Sequence, residues 1–192
     1  MRFLSRTDAM IIDLRHNKGG YGETVALLAS YFLPDATALS ESRSKDGLRQ
    51  SWTSTFVPGP KYLDKPVYVL MSKRTFSAPE SFAYNLQALK RVTVVGEVSR
   101  GGANPSVQLL LSDRFGAIIP LAVTRNPITN TSWEGKGVTP DLPATSDQAF
   151  DVAHLAAVRA IAPKHRDDSL TGEIEEIIKK LEELPARQND RR

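Results

Sequence analysis

Ser77-Ala78-Pro79-Glu80 follows the apolar segment 67–71 after a short polar loop, and its residue types allow two chemistries. A serine with a glutamate three residues later is the pattern of a capping box, with Pro79 inside the first helical turn. A helix start also carries unpaired amides and a positive dipole end, so the same serine can be presented as a nucleophile beside groups that stabilise an oxyanion. Spacing alone leaves both readings open. Gly19-Gly20 is a second candidate: flexible punctuation, or backbone amides that a developing oxyanion can approach because no Cβ stands in the way. The segment lacks the GxxxxGK[ST] pattern and is no phosphate loop. His16 lies beside it as a candidate base, whereas His154 falls in an amphipathic segment and His165 in a charged one. No histidine pair has metal-ligand spacing, and the chain has no cysteine, which excludes thiolate metal sites, disulfides and a cysteine nucleophile. No metal and no cofactor is expected.

These groups need elements to hold them. Residues 9–14 (AMIIDL) are apolar without alternation, as in a strand buried on both faces, and they run into the glycine-rich segment at 16–22. Val25, Leu27, Leu28, Tyr31, Phe32 and Leu33 recur near helical spacing up to Pro34. Residues 36–60 read as an irregular excursion or edge hairpin anchored by Trp52 and Phe56. Strand 67–71, helix 78–89 and strand 92–96 follow, and two strand–helix–strand units in series imply a mainly parallel sheet. Segments 107–111 and 115–123 read as a hairpin turning at 112–114, and 126–131 as turn chemistry. A helix is expected over 146–161, with Phe150 on its apolar side, and another over 171–184, with a disordered tail from Pro185. The candidate loops all lie after or beside buried strands, where parallel sheets bind ligands.

The chain has 192 residues, enough for one domain with a core that needs no staples. Its 25 Lys and Arg exceed its 22 Asp and Glu by three and are scattered, which argues against a nucleic-acid partner. No apolar run approaches the roughly 18 residues of a membrane span, and residues 1–8 contain no signal-peptide h-region.

Asp13-Leu14-Arg15-His16-Asn17-Lys18-Gly19-Gly20 resembles the DLRxNxGG segment of the tail-specific, carboxyl-terminal processing serine peptidases. Ser77-Ala78-Pro79-Glu80 resembles their SAxE motif, Val94-Val95-Gly96-Glu97 the strand and loop after it, and Gly137-Val138-Thr139-Pro140-Asp141 their G[VI]xPD motif. Four motifs in order over residues 8–142 are specific. The nearest branch is that of interphotoreceptor retinoid-binding protein modules and tricorn-like core proteases. The resemblance implies an α/β fold of the Clp-protease/crotonase type, a mainly parallel sheet with βαβ units, a β-hairpin and C-terminal helices. It also implies Ser77 as nucleophile, and Ala78, Gly19 and Gly20 as oxyanion donors.

One departure matters. The family's processing peptidases place a lysine in the glycine-rich loop after the GE dipeptide, where this chain has Gly101-Gly102-Ala103-Asn104, with Gly102 in the lysine's place. Tricorn-like members use an upstream histidine and serine with a glutamate near the end of the core, and Glu134 matches that glutamate. The resemblance therefore implies a serine peptidase acting on unfolded protein or peptide, its base supplied from an N-terminal part or absent. Residues 1–163 are expected to form the core, lacking its N-terminal part, and 164–192 a charged linker, amphipathic helix and tail. The family suggests a periplasmic or secreted location; the oligomeric state is left open. The alternatives are a non-catalytic module binding a retinoid, fatty acid or peptide, and a crotonase-like acyl-thioester enzyme.

Overall fold

The computed structural model describes residues 1–166 and 168–183. Its centre is a four-stranded parallel sheet made of β1 (Met10–Asp13), β4 (Val67–Met71), β5 (Thr93–Gly96) and the short β9 (Leu142–Pro143), in the spatial order β1-β4-β5-β9. The register pairs Met10 with Val67, Tyr68 with Thr93 and Val95 with Leu142. All five residues of β4 are buried, which explains why its sequence is continuously apolar: both faces of a parallel sheet are covered. Val67, Val69 and Met71 pack with α1 (Gly22–Ala29) and α2 (Ala78–Ala88) through Ala29, Phe82 and Leu86. Tyr68 and Leu70 point the other way, onto Ala149, Ala153 and Ala157 of α3 (Ala149–Ile161). The alternation of side chains along one strand thus feeds two separate cores.

A second, antiparallel sheet joins β3 (Gly47–Trp52), β2 (Ala38–Ser44) and β8 (Ala122–Arg125) in that order, and β6 (Ser106–Ser112) with β7 (Phe115–Pro120) forms a separate hairpin. The hairpin expected over 107–123 is therefore shorter: the chain leaves it after Pro120, where Leu121 N–H bonds back to Pro105, and β8 pairs with β2 instead. The excursion over 36–60 does fold as a hairpin, but its expected anchors are wrong. Trp52 is 45% exposed and Phe56 75%, because the first ends an edge strand and the second lies in the loop beyond it; Leu39, Thr53 and Val57 are buried instead.

The helix after the glycine segment stops at Ala29, short of Pro34, where Ser30 bonds its hydroxyl to the Ala26 carbonyl and accepts the Ser54 N–H. Phe32 and Leu33 remain buried beyond the helix, which is why they share its spacing. The helix expected from 146 begins at Ala149, and Phe150 lies on its exposed side. The helix α4 (Thr171–Glu182) packs on α3, with Ile174 buried. Asp167 and the expected tail lie outside the described residues. Among the described residues no helix is long and apolar enough to cross a membrane.

Leu86 is fully buried between α2 and the sheet. Leu86→Ala is expected to lower stability by about 2–5 kcal/mol, through lost burial plus the cavity left behind. Urea unfolding measures it, and a loss below about 1 kcal/mol would contradict this packing.

Candidate active site

Three segments meet at the carboxyl ends of β1, β4 and β5. Residues 14–17 and 72–76 are stitched together: the Thr75 hydroxyl donates to the Leu14 carbonyl at 2.9 Å, the Ser72 hydroxyl to Arg15 O at 2.6 Å, and Phe76 N–H to Asn17 O at 3.2 Å. Where β1 ends, Arg15 bonds the Asp13 carboxylate through Nε and Nη2 and the Ser146 carbonyl through Nη1. The Arg15 guanidinium bonded to it holds the Asp13 carboxyl below its ordinary pKa.

Ser77 follows at φ 68°, ψ −118°, a conformation a non-glycine residue adopts only at a cost of roughly 1–3 kcal/mol. Glu80, completely buried, holds it there. One carboxylate oxygen accepts the Ser77 N–H at 2.5 Å and the Gly102 N–H at 2.9 Å, and the other accepts the Ser99 hydroxyl at 2.5 Å and the Gly101 N–H at 2.6 Å. The capping-box reading of Ser77 and Glu80 is thus realised, yet three of the four bonds to Glu80 come from a loop some twenty residues away. Glu134, the expected supporting carboxylate, accepts the next two amides, Ala103 N–H at 2.7 Å and Asn104 N–H at 2.9 Å. The Gly102 carbonyl accepts the Trp133 indole N–H at 3.1 Å, and Trp133 is itself buried against Tyr84.

An open cleft of about 350 Å³ lies before Ser77, lined among others by Gly20, Ala78, Ser81, Gly102, Asn104 and Trp133. The structure thereby brings together Ser77, Ala78 and Gly20. Gly19 packs behind them: its φ is 143°, and a Cβ there would stand 3.8 Å from that of Ser77. The Gly19 N–H is taken by the Asn17 side chain at 3.0 Å. His16 is exposed and does not line the cleft, and among the described residues no side chain hydrogen-bonds to the Ser77 hydroxyl. No cluster of three or more His, Cys, Asp or Glu suited to a metal is present among the described residues. Sequence reasoning missed Asn17, Ser99 and Trp133. The first carried a signal, since asparagine two residues before a glycine commonly bonds the backbone two residues on.

The sequence profile of peptidase family S41 matches residues 2–144. This chain belongs to that family. A relative from Synechocystis, a carboxyl-terminal-processing protease, is 28% identical over 179 residues, covering 93% of this chain and 40% of its own length. The chloroplastic carboxyl-terminal-processing peptidase 2 of Arabidopsis thaliana is 29% identical over 147 residues, covering 72% of the chain and 26% of that protein. The chain thus spans less than half the length of these relatives. The photosystem II D1 C-terminal processing protease superposes with a TM-score of 0.59 at 24% identity, over 73% of this chain and 36% of that one. Mature CPAF superposes with a TM-score of 0.63 at 16% identity, over 93% and 46%. These likenesses establish an S41 fold for the sheet and its loops.

Two outcomes test the geometry. Glu80→Gln replaces an acceptor of four bonds with an amide whose NH₂ faces donors, and is expected to cost about 3–5 kcal/mol with faster hydrogen exchange at Gly101 and Gly102. Unchanged exchange there would rule out the clamp. Ser77→Gly relieves the backbone strain, less the entropy glycine adds to the unfolded chain, and is expected to raise stability by roughly 1 kcal/mol in the same urea assay. A fall would show that the turn is unstrained.

Proposed function

We propose that this S41 chain is the nucleophile-bearing core of a serine peptidase that hydrolyses peptide bonds in unfolded protein or peptide segments. The carrying observation is that the Ser77 side chain stands at the start of α2, in a strained turn, facing an open cleft with Gly20 and Ala78. The Ser77 hydroxyl attacks the scissile carbonyl carbon. The Ala78 amide, at the positive end of α2, and the Gly20 amide stabilise the oxyanion, and collapse expels the amine to leave an acyl-enzyme that water hydrolyses. Gly19 shapes the hole rather than donating, since Asn17 accepts its N–H.

Glu134 acts as a positioning residue in this reading: its carboxylate, held by two backbone amides, fixes the loop opposite Ser77. The proton acceptor comes from a group that is not hydrogen-bonded to Ser77 in this structure, in keeping with Gly102 at the place of the family's lysine. Residues 1–163 form the catalytic core, and 164–192 are an appended segment. The apolar-ligand alternative draws no support from the relatives' names, and the cleft lining includes five serines with Asn104 and Thr124.

A fluorophosphonate probe tests the assignment. Ser77-dependent labelling is expected to be slow in the chain alone and faster with added imidazole, which supplies a base through the open cleft. Labelling that persists in Ser77→Ala, or none with imidazole present, would overturn it.

A further inference from the structure

We infer that Phe76 is a positioning residue whose ring occupies the place a base at position 102 would need, so that a proton acceptor must reach Ser77 from elsewhere than position 102. The inference rests on Ser77 being the nucleophile. A Cβ at Gly102 would stand 2.1 Å from Cε2, 2.4 Å from Cζ and 2.9 Å from Cδ2 of the Phe76 ring. Contacts that short are impossible, so either the loop or the ring must move.

The loop is not free to do so. The Gly102 N–H is held by Glu80 and its carbonyl by Trp133, while the flanking Gly101 and Ala103 amides are held by Glu80 and Glu134. The ring is the softer partner, yet it too is engaged: the Arg100 guanidinium lies over it, 5.0 Å from the centroid, and the Phe76 N–H is bonded to Asn17. Positions 76 and 102 therefore form a steric pair, a large ring against a residue with no side chain. A lysine placed at 102 alone finds its path to Ser77 filled.

Four proteins test this: the wild type, Gly102→Lys, Phe76→Ala and the double variant. Each is unfolded in urea and labelled with the fluorophosphonate across a pH series, with Ser77→Ala as the background control. In labelling, the Ser77 Oγ–P bond forms, the P–F bond breaks with loss of fluoride, and the hydroxyl proton passes to the introduced amine. Gly102→Lys is expected to lower the urea midpoint, and adding Phe76→Ala to recover at least half of that loss. The double variant is expected to label about a hundredfold faster than the wild type without imidazole, the gain attributable to one positioned base, with a rate that rises as the amine loses its proton.

Additive midpoint changes would remove the steric pair. Equally fast labelling by Gly102→Lys alone would show that the ring is no barrier. Coupled midpoints with no Ser77-dependent labelling in any protein, even with imidazole, would overturn the nucleophile assignment itself and Phe76's role with it.

Discussion

The site depends on one buried carboxylate. Glu80 is completely buried and accepts bonds from Ser77, Ser99, Gly101 and Gly102. A lone charge in such a place is prohibitively costly, and the four donors make it tolerable by replacing water around both oxygens. The consequence is reciprocal. Because the charge must keep its donors, the turn that presents Ser77 and the loop after β5 cannot separate, and the strained φ of Ser77 is fixed by something stronger than local preference. Ser99 extends the clamp by accepting the Val138 N–H at 2.7 Å, so the GVTPD segment is tied into the same cluster.

The sheet makes this clamp possible by delivering three chain segments to one edge. Parallel strands place their following loops on the same side, and the pairing of β1, β4 and β5 sets those loops at fixed offsets. Asp141 completes the arrangement. Its carboxylate accepts the Val94 N–H at 2.7 Å and its own N–H donates to the Val94 carbonyl, which starts β9 in register on β5. The motif near the end of the core is therefore a structural closure, and Trp133 and Glu134 just before it inherit their positions.

Much of this was legible in the sequence, for physical reasons. The short, β-branched runs at 67–71 and 92–96 read as buried strands and fold as such, whereas the run at 9–14 forms a strand at the sheet edge with Met10 alone buried and Asp13 exposed, because only one neighbour covers it. Ser77 and Glu80 announced a helix start by spacing. Other features were illegible because they depend on long-range partners. Trp52 and Phe56 looked like anchors by hydrophobicity, yet the excursion turns its buried side through Leu39 and Val57. Nothing local shows that Glu80 would collect three donors from residues 99–102, or that Gly102 faces the Phe76 ring. Glycine at 102 reads as flexibility in one dimension and as a steric requirement in three.

The oxyanion assignment gains its force from subtraction. The loop at 101–104 offers four successive amides toward the site, and all four are taken, two by Glu80 and two by Glu134. Gly19 contributes a fifth, which Asn17 takes. An amide already bonded to a carboxylate or a side-chain carbonyl has no proton left for a developing negative charge. The Ala78 amide lies in the first helical turn, where no intrahelical acceptor exists, and Gly20 stands beside it with no Cβ to obstruct approach. The proposed pair is thus what remains after the clamp has been satisfied. The same bonds that rigidify the loop decide which amides stay available for chemistry, so the architecture and the proposed oxyanion hole follow from a single distribution of donors.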